Sequence, residues 1–199
     1  MDEIVRQAMA KWPNVPAVYG WLALDRRGTW LIKDESIGNP MLIEFIGRNY
    51  DCDDHGRWFF QNGPQRVFVR LAYAPWVLRT APQGQLVTHT GLAITAVNGV
   101  WFDEDGVVIL QTEHGAGVLD DRDVEAISAG FVASGGVGLN EDALLESIER
   151  IVAGGTSQLE FRYHAQRVAV GRMMNAEAPH RLGYIRDPQP ETVSTDAAH

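Results

Sequence analysis

The stretch Gly20-Trp21-Leu22-Ala23-Leu24-Asp25-Arg26-Arg27-Gly28-Thr29-Trp30-Leu31-Ile32-Lys33 decides the fold. Two apolar runs flank a short polar turn that ends in glycine. That arrangement predicts a hairpin with Gly28 in the left-handed region, which glycine enters at no steric cost. The same turn chemistry returns 78 residues later, where Phe102-Asp103-Glu104-Asp105-Gly106 matches Leu24-Asp25-Arg26-Arg27-Gly28. A second echo has an offset of 101: Gln65-Arg66-Val67-Phe68-Val69 against Gln166-Arg167-Val168-Ala169-Val170. A predicted helix lies between the two matches in both cases, so the pattern reads as one unit used twice. The 23-residue difference between the offsets leaves room for an additional helix in the second copy.

Working outward, Asp2 is placed to cap a first helix carrying Ile4, Val5, Ala8 and Trp12, ended by Pro13 and Pro16. After the hairpin, Asn39 and Pro40 suit the cap and first position of a helix whose face is Leu42, Phe45 and Ile46. A polar loop over 51–56 then leads to a second hairpin, 57–71, turning at 61–64. Residues 74–90 are expected to connect the halves and to hold further strands around Trp76-Val77-Leu78 and Gln85-Leu86-Val87. Runs 92–97, 100–102 and 107–111 predict a three-strand meander turning at Asn98-Gly99 and again at 103–106. A helix is expected after Asp120, with a face of Val124, Ile127 and Phe131, and another after Asn140. Strands over 158–163 and 166–170 follow. The fold class is α+β, mostly antiparallel, with a duplicated strand-turn-strand, helix, hairpin unit. The expected divisions are 1–80 for the first repeat, 81–186 for the second, and 187–199 for a polar tail.

Charge bears on partners. Seventeen Lys and Arg against 26 Asp and Glu leave a formal charge of −9, which disfavours nucleic acid and anionic membrane surfaces. No run approaches the roughly 18 apolar residues of a membrane span. Cys52 is the only cysteine, so no disulfide forms within the chain, and a reducing compartment fits. Asp2 and Glu3 stand where a secretory signal would carry positive charge. The expectation is a cytoplasmic protein, with an unknown small molecule or protein as partner, or a second copy in a homodimer.

Gly28-Thr29-Trp30, Ile37, Pro40, the run 42–46 and Ala74-Pro75-Trp76 resemble a bacterial domain-of-unknown-function family, the 1285 type or a close sister, over about residues 20–76. The resemblance implies a proteobacterial source, an α+β fold with repeated motifs, and a regulatory or signalling role. It brings no catalytic residues.

No GxSxG, Walker loop, dinucleotide fingerprint or HExxH spacing is present. Asp51, Asp53, His55 and Gly56 occupy positions 1, 3, 5 and 6 of a calcium loop, but Asn62 stands where position 12 requires a bidentate glutamate. A solvated loop is the better reading of that segment, and no cofactor is expected. The sharper expectation is an aromatic-lined pocket between the repeats, with Trp30, Trp58 and Trp101 as walls and Arg66 and Arg167 supplying charge. The leading reading is a non-catalytic regulatory module that binds a small ligand or a protein. The rival is a hydrolase or metal-assisted enzyme assembled only in three dimensions, with Asp51, Asp53, His55 or His89 as candidates.

Overall fold

The polar turn of the opening stretch folds as its residues require. In the computed structural model, which describes residues 1–190, strand β1 (Val18–Leu24) turns into β2 (Trp30–Ile32). The Asp25 carboxylate accepts from the N–H groups of Arg27 at 2.8 Å and Thr29 at 2.7 Å, and Gly28 takes φ 76°. Asp103 repeats this on the N–H groups of Asp105 and Val107, with Gly106 at φ 79°. Asp53 does so a third time, on His55 and Arg57, with Gly56 at φ 75°. Asp-Arg-Arg-Gly, Asp-Asp-His-Gly and Asp-Glu-Asp-Gly are therefore one turn: a carboxylate satisfies two amides and a glycine supplies the positive φ.

The first sheet continues through β3 (Glu35–Ser36), β4 (Tyr50–Cys52), β5 (Trp58–Asn62) and β6 (Gln65–Leu71), in the order β3-β2-β1-β6-β5-β4. Strands β1 and β6 run parallel, and their neighbours pair antiparallel. Helix α2 (Pro40–Arg48) begins where Asn39 accepts from Met41 N–H at 3.0 Å, as expected of the cap. Helix α1 (Glu3–Lys11) starts differently from the expectation. Its Asp2 side chain makes no cap bond; it receives Arg48 Nε and Asn49 Nδ2 instead, tying α1 to the end of α2.

The second sheet takes in β7 (Trp76–Thr80), β8 (Leu86–Thr88), β9 (Val97–Phe102), β10 (Val108–Thr112), β11 (Gly115–Leu119), β12 (Phe131–Ala133), β13 (Val137–Gly138), β14 (Leu159–Tyr163) and β15 (Gln166–Arg172). Its order is β13-β12-β14-β15-β9-β10-β11-β7-β8, with β15·β9 and β11·β7 parallel. The fold is thus α+β with two mixed sheets. Helices α3 (Val124–Ser128), α4 (Glu141–Val152) and α5 (Ala178–Leu182) complete it.

Several expectations need correction. Residues 74–90 hold the two strands expected there, but as β7 and β8 they are built into the second sheet instead of only linking two halves. Asn98-Gly99 lies inside β9 rather than at a turn; a Cβ on Gly99 would sit 2.1 Å from the Trp101 ring, so glycine is there to admit the indole. The helix after Asp120 stops at Ser128, and Phe131 belongs to β12. The expected polar tail lies outside the described residues beyond position 190.

One continuous apolar core runs through both sheets, including Leu24, Val69, Leu78, Ile109 and Phe161. The chain after α5 stitches the halves further. Ile185 N–H donates to the Gly56 carbonyl at 2.9 Å, and Arg186 Nε to that of Tyr73 at 2.9 Å.

Candidate functional site

Strand β1 departs from regular pairing at one place. Val18 pairs with Val67 and Leu22 with Val69, so four residues on β1 span two on β6, and Gly20 takes φ 71° in that bulge. The bulge turns Trp21 outward, leaving it 52% exposed, with Lys33 Nζ 4.0 Å from its ring. Behind it lies a cavity of about 390 Å3 between the sheet and α2. Leu22, Phe60 and Val67 form its floor, and α2 contributes Leu42 and Ile46. Ile32 and Trp21 also line it, and Asn62 and Gln65 are its polar members. Its size falls in the range of small-molecule sites, and its wall is apolar with a few polar groups.

The corresponding hairpin of the second sheet is filled. Asn62 pairs with Gln65 at the tip of the β5–β6 hairpin; Tyr163 pairs with Gln166 at the tip of β14–β15. The Tyr163 hydroxyl donates to the Ile94 carbonyl at 2.8 Å and accepts from Leu86 N–H at 2.9 Å. Leu86 and Ile94 are themselves fully buried, so a tyrosine and its apolar cover occupy this end of the second sheet.

At the junction of the sheets, rings pack at tilted and edge-to-face angles. Tyr50 lies 5.0 Å from Trp30, 4.9 Å from Trp58 and 5.2 Å from Trp76. Trp30 and Trp58, expected to line a pocket, therefore do meet, but as nearly buried members of one packed cluster. His89 joins them, 5.3 Å from Trp30 and 5.6 Å from Trp76. Its Nδ1 accepts from Val77 N–H at 3.3 Å, which puts the proton on Nε2, and that atom is buried without a hydrogen-bond partner. Burial, and secondarily the positive charge of Arg79, press the imidazole pKa down to about 3, so the ring is neutral. Beside it a smaller cavity, about 280 Å3, opens between Trp30, Thr90 and α2.

The other expected residues are spread out. Arg66 stacks on the Phe59 ring at 4.5 Å in the first sheet. Arg167 faces Glu160 at 3.7 Å in the second. Trp101 on β9 packs over Gly99 of its own strand and Gly171 of β15. These three do not join the cluster of Trp30 and Trp58.

Asp51 accepts from the N–H of Cys52 at 2.8 Å, and its neighbour Asp53 is the carboxylate of the third turn. Arg57 Nε adds an ion pair to Asp53 at 2.7 Å. Burial alone would raise the Asp53 pKa, yet the bonds from Arg57 and His55 hold it below the usual value. The Cys52 thiol is pushed up to about 11 by burial and by the aspartates around it, so it is a poor nucleophile and ligand at neutral pH. Among the described residues, no three His, Cys, Asp or Glu side chains are grouped to hold a metal ion. Among the described residues, no helix is long and apolar enough to cross a membrane.

Two mixed sheets with few helices place this protein in the α+β class. The chain belongs to the family described as "Protein of unknown function (DUF2946)", whose sequence profile matches residues 1–189. It shares its fold with a DUF1285 family protein from Silicibacter pomeroyi DSS-3, at TM-score 0.52 and 14% identity over 89% of this chain and 98% of that one. A DUF1285 family protein from Shewanella baltica OS155 is also similar, at TM-score 0.40 and 20% identity over 53% of this chain and 88% of that one. The resemblance seen in residues 20–76 thus agrees with a chain of an unknown-function family that shares the fold of a DUF1285 protein. No curated protein matches the chain.

The cup itself escaped the sequence reading. Its signals were a glycine inside an apolar run, Gly20, and a small asparagine, Asn62, at a hairpin tip where the β14–β15 hairpin carries Tyr163.

Proposed function

We propose that this chain is a non-catalytic regulatory module, made by duplicating one α+β unit, and that it binds a small, largely apolar molecule in the cup beneath α2. The strand registers support the duplication. Leu22, Ala23 and Leu24 pair with Val69, Arg70 and Leu71. Displaced by the sequence offsets of 78 and 101, the same positions are Val100, Trp101 and Phe102, which pair with Val170, Gly171 and Arg172. The β1·β2 and β9·β10 registers agree under the offset of 78, as do β5·β6 and β14·β15 under 101.

The observation that carries the ligand reading is the difference between the copies. Tyr163 and its bonds to Leu86 and Ile94 fill the second, while Asn62 leaves the first open beside the β1 bulge. An apolar cavity kept open at one of two equivalent places is what divergence toward binding would leave. Asn62 and Gln65 offer amides to a polar group on the ligand, and Lys33 near Trp21 favours an anionic one.

Helix α2 gives the site a route outward. Leu42 and Ile46 face the cup, while Ile43, Glu44 and Gly47 line the small cavity beside His89 and Thr90 of the second unit. A ligand that shifts α2 is felt there, which suits a regulatory role. The single free cysteine fits a reducing, cytoplasmic setting. Native mass spectrometry of the purified full chain tests the reading. Retention of a small molecule by the wild type and its loss in Asn62→Tyr are expected; retention of the same molecule by both would overturn it.

A further inference from the structure

A second crevice, of about 430 Å3, lies between the β1–β2 turn and the β9–β10 turn, the two equivalent Asp-x-x-Gly turns. Its walls carry opposite charges. The first turn contributes Arg26 and Arg27, and the second contributes Asp105 at the position 78 residues beyond Arg27. Arg27 is engaged with Asp121 at 3.1 Å, which closes one side. Arg26 is not engaged in this way. Its guanidinium lies over the Tyr73 ring at 5.2 Å, and among the described residues it makes no ion pair. The Asp105 carboxylate likewise has no cationic partner there, since only its backbone N–H is bonded, to Asp103. Gly106 lines the crevice at φ 79°, with nothing within 4 Å of where a Cβ would stand. Val107, Val108 and Leu119 make the lining between the charged walls apolar.

An arginine and an aspartate that line one crevice without pairing to each other leave a separated positive and negative end over apolar surface. A free α-amino acid carries the complementary pair, with an apolar side chain for the lining. A guanidinium binds a carboxylate through two parallel N–H groups, and a carboxylate accepts from an ammonium, so both ends are read by charge-assisted bonds. We propose that this crevice binds an apolar α-amino acid as its zwitterion, the carboxylate on Arg26 and the ammonium toward Asp105. The site is separate from the cup under α2 and stands or falls independently of it.

The test is titration of the full-length protein with L-leucine, N-acetyl-L-leucine and L-leucinamide, followed by chemical shifts of the Val107 and Val108 methyls. Leucine is expected to saturate these shifts, and each blocked compound to bind at least tenfold more weakly, because each lacks one charge. Arg26→Met and Asp105→Asn are expected to weaken leucine at least tenfold, with Arg26→Lys recovering part of the loss. Unchanged Val77 methyl shifts would verify that each variant keeps its core. The proposal is overturned if leucine leaves the crevice methyls unmoved, if the blocked compounds bind as well as leucine, or if both charge-removing variants bind it like the wild type. Leucine binding that survives in Asn62→Tyr separates this site from the cup.

Discussion

His89 makes a sharp pH prediction. Its imidazole is held neutral in the folded state, with a pKa pressed down to about 3 from the 6.5 of a free histidine. The unfolded chain takes up a proton near pH 6.5 and the folded chain does not. The stabilisation is therefore fully present above pH 6.5 and is lost as pH falls toward 3. The slope is about 1.4 kcal/mol per pH unit, so roughly 3 kcal/mol is lost between pH 6.5 and 4.5. The carboxylates with lowered pKa, Asp53, Asp120 and Glu113, lose their contribution mainly below this window. Urea unfolding of the wild type and of His89→Gln at pH 7.0 and 4.5 isolates the effect. Glutamine keeps an acceptor for Val77 N–H and does not titrate. The wild type should lose about 3 kcal/mol more than the variant across that interval. Parallel losses in the two proteins would refute the buried, neutral imidazole.

Four further outcomes follow from the turns and from Tyr163. Asp103 is fully buried and accepts from Tyr73 Oη at 2.7 Å as well as from two turn amides, so Asp103→Ala should cost about 3 kcal/mol in urea unfolding. Asp25→Ala, in the more exposed turn, should cost only about 1 kcal/mol in the same assay. Gly28→Ala combines φ 76° with a Cβ 2.6 Å from that of His89, so calorimetry should find it destabilised by about 2 kcal/mol or more. Tyr163→Phe strips partners from Leu86 N–H and the Ile94 carbonyl and should cost about 2 kcal/mol, measured by denaturant unfolding.

Much of the first half was legible because its signals are local. Asn39-Pro40 set the start of α2, and Asp25 with Gly28 set the first turn, since each needs only neighbours within four residues. Asn140 likewise caps α4 by accepting from Ala143 N–H. The errors lie where distant packing overrides local chemistry. Asn98-Gly99 looks like a turn, yet Gly99 serves the Trp101 indole from within β9. Phe131 fits a helical face, yet it pairs with Phe161 in the second sheet. Asp51, Asp53, His55 and Gly56 share part of a calcium loop's spacing, yet the solvated loop favoured over it is what forms, as an aspartate–glycine turn from Asp53 to Gly56. Its spacing is that of the other two turns. The cup was invisible for another reason: it depends on a two-residue bulge in β1 and on a side chain that is smaller than its counterpart, neither of which leaves a periodic mark.

The most direct test of the binding site is a titration of the wild type and Asn62→Tyr with decanoate, followed on the methyl groups of Ile32, Leu42, Ile46 and Val67. Tyrosine at position 62 would place at the β5–β6 tip the side chain that Tyr163 places at the β14–β15 tip. Saturable shifts of these four side chains in the wild type, and none in Asn62→Tyr with its fold intact, are the expected result. Unmoved methyls in the wild type, or equal shifts in both proteins, would contradict a ligand site in the cup.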